Sequence, residues 1–331
     1  MRQQWGTEEN IILARDSVKI FERLSDELGF NVMFRQGGYL VLIFDEHEHD
    51  LISKTIPLQN RLGVPTRLVT PHEVAELVPG INTQGLLAGG YCPTDGVCYP
   101  YAVLWGYAEA ARRRGVEIKV HTRVTRLSRR DDGTYDVSTE KETFNAPVVV
   151  NVAGAWSKEI AAMIGIEIPT TPVRHEIAVT ESLKPFLEPM VISTKKDFYF
   201  SQSLRGEIVG GVGDPNEPSS YSTASSPDFL FRYARALRDV FPALGKVRII
   251  RQWAGLYDMS PDARPIVGTV DGYGGYYHAC GFSGHGFMIS PMVAKLLTEL
   301  ITTGRTTMPI DTLDLTRFTR GPIAKDPYVV G

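Results

Sequence analysis

Apolar and polar positions along the chain change period several times, and the changes mark out its elements. Ile11, Val18, Phe21, Leu24 and Leu28 share one face of a helix predicted over 8–28, with Gly29 placed to cap its end. Residues 30–34 and 38–44 read as two strands of a hairpin turned at Arg35-Gln36-Gly37. A polar helix follows over 46–62 and ends at Gly63. Thr70-Pro71-His72-Glu73 has the chemistry of a helix start: a hydroxyl cap, proline at the first helical position and glutamate closing a capping box. Pro100 opens a further helix, over 101–114, ended by Gly115.

Residues 116–120, 124–127 and 135–138 read as a strand followed by a hairpin turned at Asp131-Asp132-Gly133. The run PVVVNV over 147–152 is continuous and apolar, as in a strand buried on both faces. It leads into AGAWS and a helix to 164. From 168 to 212 the period falls to two, in VRHEIAV, MVIST, FYFSQ and EIVGGVG, which predicts an antiparallel sheet. The glycines of the last segment are assigned to close backbone packing. A helix over 227–240 presents Phe229, Tyr233, Leu237 and Val240 on one side, and a strand follows over 247–256. Short apolar runs at 265–267 and 276–279 return to α/β texture, and 309–331 reads as an extended tail. The interleaving of α/β, β and α/β predicts a mixed α/β (α+β) fold of two discontinuous domains.

Composition narrows the function classes. A chain of 331 residues with 43% hydrophobic and 22% charged residues has enough material for a large core. A net charge of -3 gives no reason to expect nucleic acid or an anionic membrane as partner. Three scattered cysteines suit neither a disulfide framework nor a zinc site, so a reducing cytoplasm is expected. No apolar run approaches the ~20 residues of a membrane span. The polar start MRQQWGTEEN does not look like a signal peptide. Signatures such as GxSxG, HExxH and Walker A are absent.

The chemistry concentrates in YYHACGFSGHGFMISPMVAKLLTEL, residues 276–300. A strand, a glycine-rich turn at Gly281, Gly284 and Gly286, and a helix carrying Met292, Leu296, Leu297 and Leu300 follow one another. Unpaired N–H groups at such a helix start point at negative charge, unless the glycines serve only the turn. Among arginines, Arg2, Arg174 and Arg264 are candidate carboxylate partners.

These residues carry a resemblance. YHACGFSGHGFMIS, TDGVCYP, VVVNVAGAWS, QWAGLYDMSPDARPIVG and RQQW resemble, in order, segments of the D-amino-acid-oxidase-like flavoproteins. The sarcosine oxidase, glycine oxidase and dye-linked proline dehydrogenase branch is most similar. The resemblance implies a Rossmann-like FAD-binding domain at 1–28, 90–168 and 252–331, interleaved with a substrate domain at 29–89 and 169–251. It implies FAD contacts at Val124, Ala153, Gly154, Trp156, Gly255, Gly281, Gly284, His285, Gly286, Phe287 and Met288. Catalytic parts fall to Arg2 as carboxylate clamp, to Tyr257 and to His285. Met288 stands where single-chain sarcosine oxidases have a second basic residue, so His175 or Lys196 is expected to compensate, or the substrate to differ. Gly255 stands near their flavin-linking cysteine, so the FAD is expected to be non-covalent. The implied reaction is oxidation of the amine of sarcosine, proline or a related amino acid, within a hetero-oligomer. The family's opening strand, GxGxxG and helix have no counterpart here, so the chain is expected to hold FAD weakly, with the run at 147–152 exposed along one edge. The alternative implied is a scaffold subunit that no longer binds FAD.

Overall fold

The computed structural model describes residues 1–321. Thr7 caps α1 (Glu8–Leu28) by accepting from the Asn10 N–H, and Gly29 closes it in the left-handed conformation at φ 60°. The stripe Ile11, Val18, Phe21, Leu24 and Leu28 is buried, as its spacing predicts. The predicted hairpin does not form. Only β1 (Tyr39–Ile43) is a strand; Met33 has a left-handed φ of 56°, which breaks extension, and Arg35 bridges Val97 instead. Val32 packs with α1. After α2 (Glu46–Arg61) and β2 (Arg67–Val69) comes α3 (Pro71–Leu77), whose capping box is complete. Thr70→Ala is expected to cost about 1 kcal/mol, read as a lower urea midpoint with unchanged slope. An unchanged midpoint would show that the box adds nothing.

β3 (Ala88–Cys92) precedes α4 (Pro100–Arg113), which lays Ala102, Val103, Gly106 and Ala110 inward. Residues 116–120 form no strand: Val116, Ile118 and Val120 are exposed, and no strand among the described residues pairs with them. β4 (Val124–Arg129), β5 (Tyr135–Thr139) and β6 (Thr143–Ala146) make a small antiparallel sheet. The apolar run yields the short β7 (Val149–Asn151) and then α5 (Ser157–Ala162). β7 is an edge strand, with Val148, Val150 and Val152 exposed by 41%, 39% and 63%, so it is not buried on both faces.

The predicted antiparallel strands appear as β8 (Thr171–Ser182), β9 (Met190–Ser193), β10 (Phe198–Gln202) and β11 (Glu207–Val212). At Gly210 and Gly211 an added Cβ would lie 2.2 Å from the Tyr199 carbonyl and 2.8 Å from that of Glu176, so close packing explains those glycines. α6 (Pro227–Val240) has the predicted bounds. β12 (Ile249–Met259) pairs along β8, giving an eight-stranded sheet in the order β12-β8-β11-β10-β9-β1-β3-β2. It is mixed, because β9 runs parallel to β1. It takes in residues 90–92 of β3 and 252–259 of β12, which the division expected above gives to the FAD-binding domain.

β13 (Ile266–Thr269) and β14 (Tyr276–Cys280) complete a second sheet with β7, and α7 (Gly286–Thr303) follows. The part of the tail at 309–321 is not extended. Leu313 is buried and residues 315–319 form a 3-10 turn; the rest lies outside the described residues. One core joins Trp5, Ile11 and Val41 to Ile192, Val267, Ala279 and Leu296, so the large sheet and the α/β layer share their interior. Among the described residues no helix is long and apolar enough to cross a membrane.

Candidate active site

Where β14 ends, the chain turns through Gly281, Ser283 and Gly284 at φ 66°, 49° and 87° before entering α7. At Gly284 only glycine serves: the φ is left-handed, and a Cβ would lie 2.4 Å from the Tyr257 ring. Two residues that motif reading passed over pin this turn. Asp258 Oδ2 accepts from the Gly281 N–H at 2.6 Å, and its carbonyl accepts from the Ser283 N–H at 2.9 Å. Ser283 Oγ in turn accepts from the Ser260 N–H at 3.1 Å. No side chain caps the start of α7, so its first-turn N–H groups and dipole remain directed at the turn.

β7 and β14 run parallel, with His278 opposite Asn151. Their carboxyl ends therefore coincide, and Ala153 and Gly154 leave the sheet beside Gly281, where open α/β sheets take ligands. The turn exposes Gly284 and Phe287. Trp156 stacks on Tyr221 at 5.6 Å and 23°, Val124 opens β4 in a different sheet, and Met288 packs partly into the core.

The large sheet faces this turn. Gly255 and Tyr257, two apart on β12, lie on one side of it, and a Cβ at Gly255 would meet open space. Arg2 is buried, its guanidinium 4.1 Å over the Trp5 ring and 5.8 Å from that of Tyr39. Trp5 donates through Nε1 to the Arg2 carbonyl at 3.0 Å and meets the His285 ring at 4.6 Å. The structure thus gathers Arg2, Tyr257 and His285 around the glycine turn. Buried Asp95 ties down the strap that carries Arg2, accepting from the Gln3 N–H and Gln3 Nε2, each at 2.9 Å. Burial pushes the Asp95 carboxyl up to about 6.

His285 is neutral. Its Nδ1 lies 3.2 Å from the Ser283 carbonyl, which can only accept, so Nδ1 carries the proton and Nε2 is bare. Burial, reinforced by the Arg2 charge, lowers it to about 3. The expected compensating charge is not at hand. Lys196 lies 4.0 Å over the Phe44 ring, and burial lowers His175 to about 4, leaving it neutral.

Buried His278 is likewise lowered by burial to about 4. A histidine held neutral in the fold stabilises fully above its unfolded pKa near 6.5 and loses that contribution as pH falls toward its folded value. Asp95 works the other way, as do Asp197 and Asp258, whose carboxyls burial also raises. Three histidines lose stabilisation over this interval while the Asp95 carboxyl regains it, so the urea midpoint is expected to fall between pH 7 and pH 5. A midpoint that rises over this interval would contradict the balance.

The family model described as FAD dependent oxidoreductase (DAO) matches residues 2–300. The chain is 29% identical over 316 residues to a sarcosine oxidase subunit beta of Rhodobacter capsulatus, covering 94% of this chain and 76% of that one. It is 31% identical over 324 residues to the mitochondrial dimethylglycine dehydrogenase of Rattus norvegicus, covering 92% of this chain but only 38% of that protein. The crystal structure of L-proline dehydrogenase from P. horikoshii superposes with a TM-score of 0.92 at 36% identity, over 98% of this chain and 87% of that one. The match runs from Arg2 to the last turn of α7 and so takes in every element of the site: the chain belongs to the DAO family of FAD dependent oxidoreductases.

Proposed function

We propose that the chain oxidises the amine of a small N-alkyl or cyclic amino acid, of the sarcosine or proline type, as the catalytic subunit of a hetero-oligomer. The observation that carries this reading is the placement of buried Arg2 beside Tyr39 and Trp5, within the cluster that packs on the glycine turn. The residues fit the pyrimidine edge of FAD: a left-handed glycine turn whose Gly284 is exposed, and an uncapped helix start directed at it. Gly281, Gly284, Gly286 and Phe287 would hold that edge non-covalently, with Ala153 and Gly154 on the neighbouring strand end. Bound FAD supplies the acceptor for the hydride leaving the carbon next to the amine.

The chain's own residues do the rest. Arg2 pairs with the substrate carboxylate, and its burial strengthens that pairing. The α7 start stabilises negative charge where it develops on reduction. Tyr257, fixed against Gly284, orients the substrate, and its hydroxyl stays protonated, since burial raises it further. Neutral His285 supports Trp5 and so Arg2. Five relatives carry "subunit" in their names, which supports a partner chain here. Anaerobic titration of the FAD-loaded protein with sarcosine, proline, hydroxyproline and glycine tests the reading. Bleaching of the flavin band by a secondary amino acid supports it, and no bleaching by any of the four sinks it.

The exposed edge of β7 favours a second reading, in which the chain holds FAD weakly and serves as a scaffold. Equilibrium dialysis separates the two. A tight stoichiometric yellow complex excludes the second.

A further inference from the structure

On the face of the large sheet that meets the glycine turn, three rings lie parallel. His175 of β8 stacks on Tyr257 of β12 at 4.5 Å and 9°, and on Tyr199 of β10 at 5.9 Å and 13°. The sequence makes room for the stack with glycines. Gly255 stands opposite His175 in the β8–β12 ladder, so Tyr257 reaches His175 diagonally across a position with no side chain. Gly211 stands opposite Tyr199 on β11, the strand between β8 and β10, where a Cβ would lie 2.9 Å from the Tyr199 hydroxyl. The imidazole is therefore clamped in one plane, and its buried Nε2 has no hydrogen-bond partner among the described residues.

We propose that His175 is a specificity-determining residue that accepts the single N–H of a secondary amine through Nε2, its ring plane fixed by the flanking tyrosines. The proposal rests on the function proposed above. An amine that gives up hydride must be neutral, because its lone pair drives the loss. A neutral secondary amine then keeps one N–H, which needs one acceptor. A neutral tertiary amine has none to donate. A protonated imidazole would repel the incoming ammonium; burial keeps His175 neutral, lowering it to about 4. Tyr257 links the two ends of the ligand, since it feels the Arg2 charge on one side and stacks on His175 on the other.

The test uses FAD-loaded protein with the flavin reduced beforehand, so that no ligand is consumed. Calorimetric affinities are compared for L-proline and for tetrahydrofuran-2-carboxylate, which replaces the ring N–H with an ether oxygen. His175→Phe keeps a flat ring in the stack and removes the acceptor. It is expected to weaken proline about tenfold relative to the ether, whose affinity stays within threefold of wild type. His175→Gln, which restores an acceptor, is expected to recover part of the preference. An unchanged proline-to-ether ratio in His175→Phe overturns the proposal, as does an equal loss of both ligands, which would mark a purely structural residue. Failure of the wild type to bind either carboxylate overturns the underlying function as well.

Discussion

Arg2→Met should lower kcat/KM for the amino-acid substrate by roughly thirtyfold to several thousandfold, the range for removing one partner of a buried, hydrogen-bonded charge pair. Methionine keeps an apolar stem over Trp5, so the strap should hold its shape. Asp95 still grips Gln3, and Trp5 still packs on His285. The loss should therefore appear in catalysis and in carboxylate binding, with little change in thermal stability. Steady-state kinetics with the FAD-loaded variant checks it. A variant within threefold of wild type would move the carboxylate site elsewhere. No ready substitute stands nearby, since Lys196 lies over Phe44 and His175 is neutral.

The largest effect on stability is expected from Asp262→Ala. Asp262 is 0% exposed and pairs with Arg317, 8% exposed, through two parallel bonds of 2.8 and 2.9 Å. Its Oδ1 also accepts from the Arg264 N–H at 3.2 Å and from Ser260 Oγ at 3.2 Å. The pair fastens the turn at 315–319 to the loop between β12 and β13. Removing the acid leaves a buried guanidinium with no counter-charge, which costs about 3–5 kcal/mol. Denaturant unfolding is the measurement, and a change below about 1 kcal/mol would mean that water reaches Arg317. The same loop leads back through Ser260 to Ser283, so the variant should also loosen the glycine turn.

Features whose cause is local were legible in the sequence. The α6 stripe, the Thr70 capping box and the strand-turn-helix at 276–300 each depend on residues within a few positions of one another. The misreadings concern strands, which need partners. Residues 30–34 and 116–120 have strand-forming composition, but one is bent at Met33 and the other pairs with no strand among the described residues. The site divides the same way. Arg2, Tyr257 and His285 were found through motif resemblance, and the structure brings them together. Tyr39 and Tyr199 sit in ordinary strands and reach the site only through sheet register, while Asp95 and Asp258 lie inside the resembling segments without any local sign that they tie the strap and the turn. No local pattern could announce the Tyr199–His175–Tyr257 stack, because its rings come from three strands.

The shared core also sets an order on assembly. β1 lies between β3, about fifty residues later, and β9, about a hundred and fifty residues later. The strap that holds Arg2 is tied to Asp95, and its Trp5 rests on His285 near the far end of the chain. Such distant pairings must close long loops before they gain anything, which slows folding. The cluster around Arg2 therefore cannot close until the turn that carries His285 has been made. The site is the last thing the fold completes, and shortened chains that end before Gly281 should carry none of it.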